Sequence, residues 1–285
     1  MSRTVGYSAE QDDLYYPAKR AVFFAEGKPA SDAALCVELA RLAYCRMDFG
    51  FAFDRDRIRK VLGGVGFSGC QFFESEGPAE GRGTHCLLAT DAANDLSVVA
   101  FRGTDKDDPT DLCDDIDVRF TGWGKGARVH TGFANALTDV LTDLEPAIKS
   151  APGRMLYTGH SLGAALATLL ASLRTPNALY TFGSPLVGDA VFVASMAEVE
   201  NYRYVDCCDI VTRVPPTVLG YEHVGEPYYI DREGKITFNP ASAMICADRV
   251  EAAADYLAKY AWRIGDVGVR ELADHAPVNY VYAVT

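Results

Sequence analysis

The stretch with the most chemistry in it is Gly159-His160-Ser161-Leu162-Gly163-Ala164. It follows the apolar run MLYT and precedes an Ala/Leu-rich segment, so a strand should enter it and a helix should leave it. A serine hydroxyl is a weak nucleophile. It attacks an acyl carbon only if a base takes its proton and fixed donors receive the charge that builds on the substrate oxygen. A sharp strand-to-helix turn would expose Ser161 at the edge of a sheet. The same turn would bring the flanking segments so close that side chains two residues either side of the serine collide, which accounts for Gly159 and Gly163. The backbone N–H of Leu162, at the start of the helix, would then point at the substrate with the helix dipole behind it, as one oxyanion donor.

A serine hydrolase built on such a turn takes its carboxylate and then its imidazole from further along the chain. Beyond Ser161 the histidines are His223 and His275. His223 sits in HVGEPYYI, whose alternation reads as a strand, whereas His275 lies in ADHAPVN beside a proline, where a loop can carry it over the sheet edge. His275 is the better base, and His223 reads as a structural, hydrogen-bonding residue. His160 leaves the turn in a different direction from Ser161 and reads as a packing residue. For the carboxylate, Asp206 and Asp209 both follow the strand-like YRYVDC, and spacing does not separate them.

The elements around these residues are legible as pattern. Ala34, Leu35, Leu39, Leu42 and Ala43 recur at helical spacing behind Ser31 and Asp32, either of which can cap a first turn. Strand-length apolar runs follow at GCQFFES, THCLLATD and LSVVAFRG, with short turn-forming connections that suggest an antiparallel meander. After Arg128, helix and strand alternate: a helix near 133–150, a strand at MLYT, a helix from Leu162 to Arg174, a strand at ALYTF, a helix near 190–199, and a strand at YRYVDC. Such alternation predicts a mostly parallel sheet with helices on both faces. One α/β domain over 1–285 is expected, with residues 1–30 as an arm lying on it.

The chain resembles the class 3, fungal-type triacylglycerol lipase family of α/β-hydrolases. The resemblance rests on blocks that occur in order: VVAFRGTD, VHTGF, YTGHSLGAALA, YTFGSPLVGD, DIVTRVPP, HVGEPYYI and DHAPVNY. It implies the α/β-hydrolase fold and a serine ester hydrolase with Ser161 as nucleophile. DHAPVNY matches the block that holds the family's histidine, so the resemblance also implies His275 as base. DIVTRVPP places the carboxylate on Asp209 rather than Asp206, although the doublet Cys207-Cys208 before it departs from the polar residues expected there. Thr104, at the end of SVVAFRG, takes the position of the second oxyanion donor beside Leu162. His130 of VHTGF reads as structural, and residues 105–126 take the place of a lid.

That lid segment carries seven aspartates among the apolar residues Leu112, Ile116, Val118, Phe120 and Trp123. It reads either as a weakly apolar lid or as an acidic loop with one strand from about Ile116 to Phe120. DKDDPT lacks the glycine that a calcium loop needs at its sixth position, and no cofactor or metal is expected. Lys and Arg number 27 against 39 Asp and Glu, a net charge of −12 that disfavours nucleic acid as a partner. The expected substrates are neutral carboxylic esters with short or medium acyl chains, triacylglycerols included, with transient contact to a lipid interface; the oligomeric state stays open. Rival activities on the same triad are phospholipase A1-like, lysophospholipase and feruloyl-esterase-like hydrolysis and, more remotely, peptide hydrolysis. The rival of another class is a lipase-like scaffold without catalysis. None of the eight cysteines shows CxxC spacing, and free thiols are expected; if any pair bridges, Cys70 and Cys86 on successive strands are the candidates. The opening residues lack a secretory h-region, which predicts a cytoplasmic protein as written, or a secreted one if a leader has been removed.

Overall fold

The structure, a computed structural model, describes residues 5–20, 22–75, 83–104 and 118–285. Helices α1 (Gln11–Tyr15), α2 (Asp32–Leu42) and α3 (Arg55–Gly64) precede the strands β1 (Gly69–Glu74), β2 (His85–Asp91) and β3 (Leu96–Phe101). A hairpin of β4 (Phe120–Trp123) and β5 (Ala127–His130) leads into α4 (Thr131–Ser150). Then β6 (Arg154–His160), α5 (Leu162–Leu173), β7 (Ala178–Phe182), α6 (Ala190–Ser195) and β8 (Asn201–Asp206) alternate. They are followed by β9 (Pro227–Ile230), β10 (Ile236–Phe238), α7 (Ser242–Lys259), α8 (Arg270–Ala273) and α9 (Pro277–Val284).

One sheet takes the order β1-β2-β3-β6-β7-β8-β9-β10, and the β4–β5 hairpin stands apart from it. β1, β2 and β3 form the antiparallel meander, while β3, β6, β7, β8 and β9 run parallel. This is the mostly parallel, helix-covered sheet that the alternation predicts, in the α/β-hydrolase architecture that the family resemblance implies. The central strands read as continuous apolar runs because both their faces are covered: every residue of β3 and β7 is buried. One face packs on α2 and α9 through Leu35, Leu39, Val98, Leu156 and Val281. The other packs on α4 and α5 through Leu137, Val99, Tyr157, Leu166 and Leu170.

Of the two capping candidates, Ser31 accepts from Ala34 N at 3.1 Å. Asp32 turns instead to Arg154 on β6, with contacts of 2.5 and 2.8 Å. The N-terminal segment is tied to the far end of the chain, since Ser8 and Asn279 exchange two hydrogen bonds of 2.8 Å. Cys70 and Cys86 do lie on paired strands, but the register sets Cys70 opposite Ala89 and Cys86 opposite Phe73. Their side chains therefore point to opposite faces of the sheet, and both thiols are free. In the segment read as a lid or acidic loop, the strand is Phe120–Trp123 rather than 116–120, and residues 105–117 lie outside the described residues. No described helix is long and apolar enough to cross a membrane.

Candidate active site

Ser161 occupies the corner between β6 and α5 with φ 57° and ψ −129°, a conformation that a non-glycine residue adopts only where the surroundings enforce it. Its backbone N–H donates to Phe182 O on β7 at 3.0 Å, which pins the corner to the sheet. A methyl group on Gly159 would stand 2.2 Å from the backbone carbon and oxygen of Gly163, and one on Gly163 would stand 2.3 Å from Phe101 O. The two glycines thus let α5 descend onto the ends of β6 and β3. Since the obstructing atoms are backbone, Gly159→Ala is expected to cost about 3 kcal/mol or more. The check is a urea midpoint; an unchanged midpoint would remove the close-approach account.

Ser161 is the N-cap of α5, yet its side chain makes no capping bond. The hydroxyl lies 2.9 Å from His275 Nε2. On the other side of the ring, Nδ1 is 3.0 and 2.9 Å from the two carboxylate oxygens of Asp209. An ionised carboxylate only accepts, so Nδ1 carries the proton and Nε2 is free to receive that of the serine. Asp209 is fully buried and held from two further directions. Val211 N donates to Oδ1 at 2.9 Å, and Tyr280 O–H donates to Oδ2 at 2.6 Å. Burial and then the charge of Asp209 push the Tyr280 hydroxyl well above the ordinary phenol value, so it stays a donor. Asp206, the other carboxylate candidate, is not part of this contact: its Oδ1 accepts from Cys207 N at 2.7 Å.

Two residues that sequence reasoning did not single out belong to the same cluster. Tyr280 closes the block DHAPVNY, five positions after His275, and a phenol within a helical turn or so of a base was the available signal. Gly183 of YTFGSP has φ +60°, and a methyl group there would lie 2.7 Å from Asp209 Oδ2 and 3.2 Å from His275 Nδ1. Only a residue without Cβ leaves the aspartate–imidazole contact its room.

Behind the triad, His160 Nε2 is 2.8 Å from the carbonyl of His275 and Nδ1 is 2.8 Å from Tyr44 O–H. A carbonyl only accepts, so Nε2 carries the proton and Tyr44 donates to Nδ1. Burial, then the neighbouring His275, drive the His160 ring well below the usual imidazole range and keep it neutral. Tyr44 also lies against Gly103, where an added methyl group would fall 2.0 Å from its hydroxyl. The backbone just before Thr104 is thereby packed on the same side chain that supports the His275 loop. Thr104 Oγ1 is buried and has no hydrogen-bond partner among the described residues. The Leu162 backbone opens α5 directly after the serine.

His130 and His223 are engaged away from this cluster. His130 caps α4, accepting from Phe133 N at 3.2 Å, and stacks on that ring. His223 Nε2 donates to Thr212 O at 2.8 Å. Burial, reinforced by Arg203, lowers His223 to about 3. Above about pH 6.5 the ring is neutral in both the folded and the unfolded chain. Below that the unfolded chain takes up a proton that the folded chain refuses, so stability is lost as pH falls towards 3, at up to about 1.4 kcal/mol per pH unit. His223→Gln, which keeps an N–H donor, is expected to flatten the fall of Tm between pH 6.5 and 4 relative to the parent. Parallel Tm curves would contradict this.

The described end of the segment expected to take the place of a lid, from residue 118 onward, is fastened to the body. Phe120 stacks on Tyr221 with ring centroids 4.0 Å apart, and Trp123 Nε1 donates to Ser172 Oγ at 2.9 Å. Two of the apolar residues expected on a mobile face are therefore already in use.

Residues 98–219 match the model of the lipase (class 3) family. The chain is 36% identical over 169 residues to the secreted mono- and diacylglycerol lipase 1 of Fusarium solani, covering 52% of this chain and 48% of that protein. It is 32% identical over 142 residues to the lipase of Rhizomucor miehei, covering 44% of this chain and 38% of that one. It thus spans about half, or less, of the length of these relatives. Among solved structures, the mono- and diacylglycerol lipase from Aspergillus oryzae superposes with a TM-score of 0.55 over 75% of this chain and 87% of that chain, at 24% identity, a likeness of fold. The stretch that carries the serine corner and the Asp209 turn is thus where the chain is similar to the class 3 lipase family.

Proposed function

We propose that the protein hydrolyses neutral carboxylic esters through a serine acyl-enzyme, with short- and medium-chain acylglycerols among its substrates. The observation that carries this reading is the continuous contact from Ser161 Oγ through His275 to Asp209, with each link between 2.9 and 3.0 Å. In this reading His275 Nε2 takes the serine proton as Oγ attacks the acyl carbon. The oxygen that becomes negative is received by the N–H of Leu162 and by Thr104, whose buried hydroxyl has no partner among the described residues and is a donor in waiting. The imidazolium then protonates the leaving alkoxide, and in the second half His275 activates water against the acyl-enzyme while Asp209 steadies the ring.

Acylglycerols as substrates are supported by the likeness to the mono- and diacylglycerol lipase of Fusarium solani. Short or medium chains are supported by the thin apolar content of 105–126 and by the attachment of Phe120 and Trp123 to the body. The test is twofold. A fluorescent alkyl phosphonate should label the folded chain with one equivalent at Ser161; a folded chain that does not react would return the protein to the non-catalytic class. Rates on soluble butyrate esters should exceed those on emulsified trioleoylglycerol, and a steep rise at the emulsion interface would overturn the chain-length part.

A further inference from the structure

Two cysteines that ester hydrolysis does not use sit at the tip of the turn that delivers Asp209. Cys207 and Cys208 are the central residues of a turn closed by Asp209 N–H donating to Asp206 O at 3.1 Å. Both side chains are buried and their sulfur atoms are 3.6 Å apart. A disulfide needs about 2.05 Å. Two sulfurs bound at 2.3 Å to one tetrahedral zinc ion stand about 3.8 Å apart, close to the spacing found here. The carboxylate of Asp274 comes to the same place from the loop that carries His275, and ligand atoms of all three residues lie within 4.8 Å of one another. A second carboxylate adjoins them, with Asp248 Oδ2 3.2 Å from Cys207 Sγ.

We propose that Cys207, Cys208 and Asp274 form a site for one thiophilic divalent metal ion, with Asp248 as the fourth donor. Two sulfurs with two carboxylate oxygens suit a zinc-like ion far better than calcium or magnesium, which take all-oxygen sets. On binding, each thiol gives its proton to the solvent and its sulfur forms one bond to the metal. Two protons leave per ion, and nothing is oxidised or reduced. Both carboxylates are already oriented by outer partners. Arg270 Nε and Tyr7 O–H hold Asp274 at 3.0 and 2.8 Å, and Tyr229 O–H holds Asp248 at 2.8 Å. The site lies beneath α7, of which only Ala252 and Tyr256 are buried, over a small cluster of Val205, Tyr229 and Ala252 around the two cysteines. A limited outward movement of that helix gives an ion its way in. Because Cys208 precedes Asp209 and Asp274 precedes His275, a bound ion would tie together the two loops that hold the base and its carboxylate.

The purified full-length chain, kept reduced with a phosphine, is titrated with cadmium. The expected result is a cadmium–thiolate charge-transfer absorption that saturates at one equivalent, release of two protons and a rise in Tm. The Cys207→Ser/Cys208→Ser double variant is expected to lose that saturating absorption, whereas Cys246→Ser, at an exposed thiol, keeps it. Absence of the one-equivalent absorption in the parent, or its survival in the double variant, would overturn the site. Should the double variant fold poorly, the parent alone decides: one equivalent of zinc must slow alkylation of Cys207 and Cys208 at least tenfold, and protection of other cysteines instead refutes the assignment. All these readings are independent of ester hydrolysis.

Discussion

Ser161→Ala is expected to lower kcat for ester hydrolysis on the order of a million-fold and to abolish phosphonate labelling, while leaving the fold intact. The size follows from how the parts are arranged. In the proposed mechanism the hydroxyl is the group that forms the acyl-enzyme, so its removal forfeits the covalent route and leaves only binding and the oxyanion donors, which retain roughly 10³- to 10⁴-fold catalysis over water in a serine hydrolase. The Ser161 Oγ makes no capping bond to α5 and touches His275 alone among the contacts described. Alanine therefore removes a nucleophile and no support, and the corner still hangs on the Ser161 N–H to Phe182 O bond. Circular dichroism and the urea midpoint should match the parent. Turnover above one per cent of the parent, on a soluble ester in single-turnover conditions, would mean that another residue is attacked first.

How much of this was legible beforehand depends on whether a residue's neighbours are near in sequence. The corner was readable because steric need is local: strand, two glycines and helix occur within ten residues, and the close approaches at Gly159 and Gly163 are to atoms of that unit and the end of β3. The parallel core was readable because doubly covered strands are apolar throughout. α7 was not, since only Ala252 and Tyr256 of its eighteen residues are buried and its apolar face is too narrow to stand out. The choice between Asp206 and Asp209 could not be made from spacing, because both leave β8 within three residues. What separates them is the peptide turn through Cys207 and Cys208, which aims one at His275 and leaves the other bonded to its own neighbour. Likewise the grouping of those cysteines with Asp274 spans 66 residues and leaves no periodic trace.

That separation makes the strongest discriminating variant Asp209→Asn, expected to lower kcat by about 10⁴-fold. The argument is one of donors and acceptors. Around the carboxylate stand the Val211 N–H at 2.9 Å, the Tyr280 O–H at 2.6 Å and the His275 Nδ1–H. Asparagine brings an N–H group of its own into this ring of donors. The Val211 amide cannot reverse, and Tyr280 already accepts from Asp206 N at 3.1 Å, so the imidazole is the partner that yields. Its proton moves to Nε2, the nitrogen facing Ser161, which can then no longer receive the serine proton. Tyr280→Phe removes one support and leaves the tautomer correct; a hydrogen bond to a charged group is worth about 1.5–3 kcal/mol, so its loss should cost at most about a hundredfold. Asp206→Asn alters a carboxylate whose Oδ1 is engaged by Cys207 N, and kcat should stay within tenfold of the parent. Imidazole proton signals of the 15N-labelled chain should show Nδ1–H in the parent and in Tyr280→Phe, but Nε2–H in Asp209→Asn. If Asp206→Asn loses as much as Asp209→Asn, or if Asp209→Asn keeps a tenth of parental turnover with Nδ1 still protonated, the carboxylate has been assigned to the wrong residue.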